Sequence, residues 1–159
     1  MFECLNVYMF EFLYVYMFKC SHVCMLILRL LLFPATVFFV SLAFLAAGFF
    51  EVWPWLDIPF HILGGLAIGV SGRTLLSELV KRRLFSTRRW WLTDLFILSL
   101  VALLAVLWEV YELILGLMFG VSTQLGVTDT VTDQIFGLTG GAISIAISHL
   151  ASLIRSQKK

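Results

Sequence analysis

Four long apolar segments alternate with short polar stretches along the chain. The apolar segments cover residues 25–50, 57–79, 93–119 and 130–154. Each is long enough to cross a bilayer, since a membrane-spanning helix takes about 20 mostly apolar residues. The stretches between them carry Trp, Pro, Gly and basic residues, which are typical of membrane interfaces and turns. The pattern predicts an all-α fold, a polytopic transmembrane helix bundle with four spans.

The composition leads to the same class of protein. Of the 159 residues, 61% are hydrophobic and only 13% are charged, more apolar surface than a soluble domain of this length needs. We therefore expect an integral membrane protein with one helix-bundle domain, residues 25–159, and no nucleic-acid partner. Residues 1–24 are aromatic but are interrupted by Glu3, Glu11 and Lys19. This segment is interpreted as an interfacial helix or as the product of a mis-assigned start codon, with Met25 as the natural start.

Basic residues are concentrated in two places, the loop 81–89 and the C-terminal tail 155–159. Lys and Arg accumulate on the cytoplasmic side of membrane proteins. Two spans separate the loop from the tail, so both can lie on that side. We predict a multi-pass protein of the plasma (inner) membrane with a cytoplasmic C-terminus, and with the connections 51–57 and 121–133 outside.

Acidic side chains occur inside the apolar segments, and residues 90–154 contain neither Lys nor Arg. Glu109 and Glu112 lie in the third segment and share a helix face at i, i+3. A carboxyl pair in the middle of a span has no capping role and is costly unless it has a function. Asp129 and Asp133 share a face at the start of the fourth segment. The candidate catalytic residues are therefore Glu109, Glu112, Asp129 and Asp133.

Asp57 and His61 lie one helical turn apart at the start of the second segment and are the candidate ligand-binding residues. The predicted topology brings them, with Glu51, to the same end of the bundle as the four acids above. His61 is the only nearby side chain that can carry a positive charge. Either some of the acids are protonated, or a divalent cation, a cationic ligand or water offsets them. Carboxylate oxygens with one imidazole suit a hard or borderline divalent ion. The candidate metal ligands are Asp57, His61, Glu112 and Asp133.

Several of these residues also have simpler interpretations. Asp57 is suited to cap a helix N-terminus, and so is Thr93 or Asp94 at the start of the third segment. Asp129 or Thr130, followed by Asp133, suits the first turn of a helix, where acids interact favourably with the helix dipole. Gly pairs four residues apart predict close helix packing, and a homo-oligomer through these Gly-rich faces is one possibility. The pairs are Gly65 with Gly69, Gly116 with Gly120, and Gly137 with Gly141.

Three short motifs resemble those of the VanZ-like and YjdF-like small membrane proteins. They are Asp57-x3-His61, Glu109-x2-Glu112, and Asp129-Thr130-x2-Asp133 followed by Gly137, Gly140 and Gly141. The resemblance covers about residues 50–152. VanZ-like proteins usually have Gln at the position of Glu112, and Asn where this chain has Phe136 or Gly137, so the YjdF-like branch is closer. The resemblance implies a bacterial or archaeal membrane protein with four or five helices in the cell envelope. VanZ-like members are associated with glycopeptide-antibiotic resistance, and the resemblance implies little else about chemistry.

Three functional hypotheses follow from the sequence. The first is an outward-facing acidic pocket that binds or modifies an envelope lipid or a cationic ligand. Its enzymatic version is metal-assisted chemistry on a lipid-linked substrate. The second is a proton- or cation-coupled transporter in which Glu109 and Glu112 form the relay. The third is a structural subunit of a larger membrane complex.

Overall fold

The computed structural model describes the backbone of residues 2–84, 89–120 and 126–158, and the side chains of these ranges from residue 24 onward. Over these residues the chain forms helices and no strand. The elements are α1 (Phe2–Ala46), α2 (Phe49–Val52), a 3-10 turn (Pro54–Leu56), α3 (Asp57–Lys81), α4 (Trp90–Phe119) and α5 (Val127–Ser156). Four stretches are long and apolar enough to cross a membrane: Cys24–Ala46, Pro54–Lys81, Trp90–Phe119 and Val127–Ser156. The predicted all-α fold with four spans is confirmed.

The first helix is longer than the first predicted span. It runs without interruption from Phe2 to Ala46, so residues 2–24 continue the helix that the first span forms. After α1, Gly48 takes a φ of 72°, a left-handed conformation that glycine adopts at no steric cost. The turn at Gly48 leads into the short α2. The interfacial-helix and mis-assigned-start interpretations of residues 1–24 stay predictions.

The core of the bundle is the interface between α3 and α5, the most extensive helix pair in the described part of the chain. Its small residues let the two backbones touch. A Cβ added to Gly65 would lie 1.8 Å from the backbone oxygen of Gly137, and one added to Gly140 would lie 2.0 Å from that of Ile62. Side chains larger than hydrogen cannot fit there, which is the use that small-residue pairs have in membrane helices. The close packing predicted for the Gly65–Gly69 and Gly137–Gly141 pairs is thus made within the chain, whereas a Cβ added to Gly120 would meet nothing within 4 Å.

The other two long helices pack around this pair. α4 contacts both α3 and α5, and the fully buried Ile97 and Val101 lie on its inner face. α1 packs mainly on α3 and reaches α4 through aromatic side chains, with the Phe38 ring 5.6 Å from that of Trp108 and 5.9 Å from that of Tyr111. A cavity lined by residues of α1, α3 and α4 remains beside these aromatic contacts.

A polar network ties three helices together at the basic end of the bundle. The Asp94 carboxylate on α4 accepts a hydrogen bond of 3.0 Å from the Arg73 guanidinium on α3 and lies 2.8 Å from His149 Nε2 on α5. The sequence-based suggestion that Thr93 or Asp94 caps the third span is wrong, because α4 begins at Trp90. Asp94 lies inside the helix, where its carboxylate binds basic partners on two neighbouring helices instead of backbone N–H groups.

The membrane orientation of this bundle stays a prediction. Reporter domains fused after Arg89 and after Lys159 should both be cytoplasmic, because these sites lie in the two basic regions. A reporter at Ser122, which lies outside the described residues, should be external. Enzymatic reporters active on one side only provide the measurement, and a cytoplasmic signal at Ser122 would refute the orientation.

Candidate functional site

The predicted site residues lie at the end of the bundle opposite the basic network. α3 and α5 begin at this end and α4 finishes there. The turn Pro54–Leu56 leads directly into α3. Pro59 lies in the first turn of α3, where a proline is tolerated because backbone N–H groups there have no partner within the helix. Asp57 is consequently the first residue of α3, and His61 follows one turn later on the same face.

His61 is the centre of the site. Its Nε2 atom lies 3.3 Å from Asp57 Oδ2 on the same helix and 3.9 Å from Asp133 Oδ1 on α5. The side chains of His61 and Asp133 are only 8% and 6% exposed, so this contact is enclosed by the bundle. It depends on the close approach of α3 and α5, since Gly65, one turn below His61, faces Gly137, one turn below Asp133. One ligand atom each from Asp57, His61 and Asp133 lie within 4.8 Å of one another.

His61 also meets the carboxyl pair of α4. One ligand atom each from His61, Glu109 and Glu112 lie within 4.8 Å of one another, and Glu109 is only 5% exposed. Glu112 lies seven residues before Phe119, where α4 ends, so it is about 10 Å below that end at about 1.5 Å per residue. The structure therefore brings three of the four candidate catalytic acids, Glu109, Glu112 and Asp133, to one imidazole.

An open cavity of about 610 Å³ adjoins this cluster. We call it the acidic cavity. The residues described along its wall include no Lys or Arg. Its lining includes five carboxyl groups and four hydroxyl groups: Glu51, Asp57, Glu112, Asp129 and Asp133, with Ser41, Tyr111, Thr128 and Thr132.

The predicted acids take different places around this cavity. Asp129 lies on its wall, in the first turn of α5, but outside both clusters around His61. Glu109 is not part of the wall and lies buried behind His61. Asp57 does not act as the N-cap of α3, because that position is Leu56. Asp133 lies in the second turn of α5, beyond the first-turn position where the helix dipole alone would account for an acid.

Aromatic side chains of α1 and α4 enclose one side of the site, and the sequence analysis did not identify them. Trp108 and Tyr111 line the acidic cavity, and the Trp108 ring lies 6.3 Å from that of His61 in an edge-to-face arrangement. A signal was present, because Trp108 and Glu112 are four residues apart and share a helix face. Ser41 on α1, 7% exposed, also lines the cavity. No sequence pattern distinguished this serine from others within the spans.

The arrangement has the chemistry of a cation site. One imidazole nitrogen and carboxylate oxygens from three helices converge, and such a set suits hard or borderline divalent ions. The candidate ligand residues lie on regular helices, of which α3 and α5 are held by backbone contact at Gly65 and Gly140, so rigid elements set the geometry.

Comparisons with known proteins identify the family and leave the chemistry open. No curated protein and no solved structure matches the chain. The resemblance to VanZ-like and YjdF-like proteins is not tested by these comparisons and stays a prediction. One family model covers nearly the whole sequence, including three of the four spans, the fourth as far as residue 153, and every residue of the site. The chain belongs to the family described as "Predicted membrane protein (DUF2238)", whose model matches residues 4–153.

Proposed function

We propose that this protein binds a divalent cation at His61 in the membrane, and that the ion holds or modifies the head group of an envelope lipid. The observation that supports this proposal is the position of His61, which is shared by the cluster with Asp57 and Asp133 and by the cluster with Glu109 and Glu112. A buried group of carboxylates with a single imidazole carries excess negative charge in a low dielectric, and a divalent ion would offset it.

The proposed ligands are Asp57, His61, Glu112 and Asp133, with Glu109 behind them. Asp129 and Glu51 lie further along the cavity wall and would meet the ligand or its waters. In the enzymatic version of the proposal, the ion polarises a phosphoryl or carbonyl oxygen of a lipid-linked substrate or activates a water. Glu109 and Glu112 are then the residues placed to accept or donate a proton.

A double-mutant cycle on Glu112 and Asp133 tests the cation site. Each of Glu112→Gln and Asp133→Asn should weaken divalent-ion binding, and the double variant should lose less than the sum of the two. Residues that contact a shared partner couple by about 0.5–3 kcal/mol, whereas distant residues add. Titration calorimetry of Mn²⁺, Zn²⁺ and Mg²⁺ into purified wild type and the three variants provides the affinities.

Glu78→Gln is the matched control, because Glu78 is an acid of α3 that pairs with Lys81 at the other end of the bundle. It should bind the ion with the affinity of the wild type. Additive losses in the cycle, or no saturable binding to the wild type, would remove the cation site. A nearly silent Glu112→Gln would instead indicate a hydrogen-bonding role, since a neutral amide resembles a protonated carboxyl.

Proton- or cation-coupled transport is the alternative, and the depth of the α4 pair favours it. Glu109 lies about 15 Å from the end of α4 at about 1.5 Å per residue, in the middle of a span, where ionisable residues commonly mark ion pathways. Reconstituted protein should then carry the ion or protons across a liposome membrane, and Glu109→Gln should stop this flux. Saturable binding without flux would support the lipid-binding proposal.

A structural-subunit role and a homo-oligomer are the remaining alternatives. The Gly-rich faces of α3 and α5 that suggested an oligomer are occupied by each other within the chain. A partner would therefore have to use other surfaces, of which Gly120 at the end of α4 is one with open space around it. The mass of the protein in detergent or nanodiscs distinguishes a monomer from an oligomer.

A further inference from the structure

A second cavity lies beside the acidic one, among the last third of α1, the first half of α3 and the middle of α4. It has a volume of about 340 Å³ and is lined almost entirely by apolar atoms. We call it the apolar cavity; Val37, Phe38, Gly64, Ile68, Leu104 and Trp108 are among its lining residues. Its volume is within the range of about 300–1,000 Å³ that small-molecule sites occupy. The proposed cation site does not account for it.

The apolar cavity reaches the outer surface of the bundle. Leu104 and Leu107 on α4 line it and are 36% and 52% exposed. Leu104 is 15 residues from the end of α4 at Phe119 and 14 from its start at Trp90, so this opening is halfway along a membrane-spanning helix. At that depth the surroundings are lipid hydrocarbon. The opening lies beside α1 and α4, where the Phe38 ring of α1 contacts the Trp108 and Tyr111 rings of α4.

The apolar cavity adjoins the cation site. Ser41, Asp57, Trp108 and Tyr111 line both cavities. His61, the centre of the proposed site, lines the apolar one. The two cavities together therefore have an apolar part open to hydrocarbon and a strongly acidic part at the end of the bundle. An amphiphile has this distribution of polarity.

Gly64 keeps the apolar cavity open. A Cβ added to Gly64 would meet no atom within 4 Å, whereas one added to its neighbour Gly65 would collide with the α5 backbone. Helix packing thus accounts for the need for a glycine at Gly65 but not at Gly64. A glycine within a helix costs about 0.5–1 kcal/mol relative to alanine. At Gly64 the absent side chain leaves empty space in the apolar cavity.

We propose that the apolar cavity holds a hydrocarbon chain of a membrane lipid whose head group lies in the acidic cavity. The placement of the head group rests on the proposed function, whereas the placement of the hydrocarbon chain rests on the shape and position of the apolar cavity. Moving a chain from the bilayer into this cavity changes its apolar surroundings little. The chain therefore contributes orientation, and the head group contributes affinity. A water-soluble cationic ligand has no apolar part that would occupy a cavity open to hydrocarbon.

Photo-crosslinking tests the proposal directly. The full chain is reconstituted in nanodiscs that contain a phospholipid with a diazirine in its acyl chain, and the adducts are mapped by mass spectrometry. Adducts at Phe38, Leu104 and Trp108 should exceed those at Ile143, an exposed residue on α5. Gly64→Leu should reduce the cavity adducts about tenfold or more, since even one methylene in an apolar pocket changes occupancy by that order. Ala142→Leu, which adds the same side chain on the exposed face of α5, should leave them unchanged.

Val37→Phe fills the cavity from the α1 side and serves as the second variant if Gly64→Leu does not fold. Equal adduct yields at cavity and surface positions in the wild type would overturn the proposal, and so would wild-type yields in a folded cavity-filling variant. Cation affinity is measured by calorimetry on the same preparations. Cavity adducts without cation binding would uphold the lipid chain and remove the cation site, and cation binding with uniform adducts would do the reverse.

Discussion

His61→Ala should lower the affinity for a divalent cation by about 100-fold or more, the largest loss expected from any single substitution in the site. Loss of an outer-shell partner alone costs about 10–100-fold in metal affinity, and His61 is proposed as a direct ligand. It is also the only residue that belongs to both clusters, so its removal takes away the one ligand that they share. Titration calorimetry in detergent measures the loss.

His149→Ala is the matched control for this substitution. His149 is also a histidine within a span and also contacts an aspartate, at 2.8 Å from Asp94, but it lies at the basic end. Its replacement should reduce thermal stability modestly and leave cation affinity unchanged. Equal affinities of the wild type and His61→Ala would place the ion elsewhere or show that none binds.

Gly65→Ala should destabilise the bundle more than any other single added methyl group. The new Cβ would lie 1.8 Å from the backbone oxygen of Gly137. A side chain could rotate away from such a contact, but a backbone oxygen in a helix cannot, so α3 and α5 must separate along their whole interface. Overpacking of a core costs about 1–3 kcal/mol, and a collision between two backbones should exceed this range. Thermal unfolding of the purified protein measures the effect.

Gly64→Ala provides a control on the neighbouring residue of the same helix. Its Cβ would meet nothing within 4 Å, and alanine is favoured over glycine within a helix by about 0.5–1 kcal/mol. Its unfolding temperature should therefore equal or exceed that of the wild type. Equal unfolding temperatures for Gly64→Ala and Gly65→Ala would mean that α3 and α5 do not pack by backbone contact.

The spans were predictable because each depends on its own residues. A helix crosses a bilayer when about 20 of its residues are apolar, whichever helices surround it. The helix of the second span, α3, accordingly starts at Asp57, as the pattern predicted. The third starts at Trp90, earlier than predicted, because the apolar pattern gives less information about interfacial residues, and because Asp94 pairs with Arg73 and His149 instead of capping the helix.

Part of the candidate site was also present in the sequence. The helical period places Glu109 with Glu112 and Asp57 with His61 on common faces. The basic loop and tail suggested that the ends of three spans meet. That His61 approaches Glu109 and Glu112 on α4 and Asp133 on α5 depends on distances between helices, which no local pattern contains.

What the sequence by itself determined about this protein is its class: an all-α membrane protein with acids in its spans, because hydropathy and helical period are local properties. Only the tertiary structure decided that Gly65 contacts Gly137, while Gly64, one residue away, faces an open cavity. The sequence shows two adjacent glycines and cannot distinguish them. The two positions differ because their Cα–H bonds point in different directions from the same helix. What lies in each direction is set only when α3 packs against α5 on one side and leaves space beside α1 and α4 on the other.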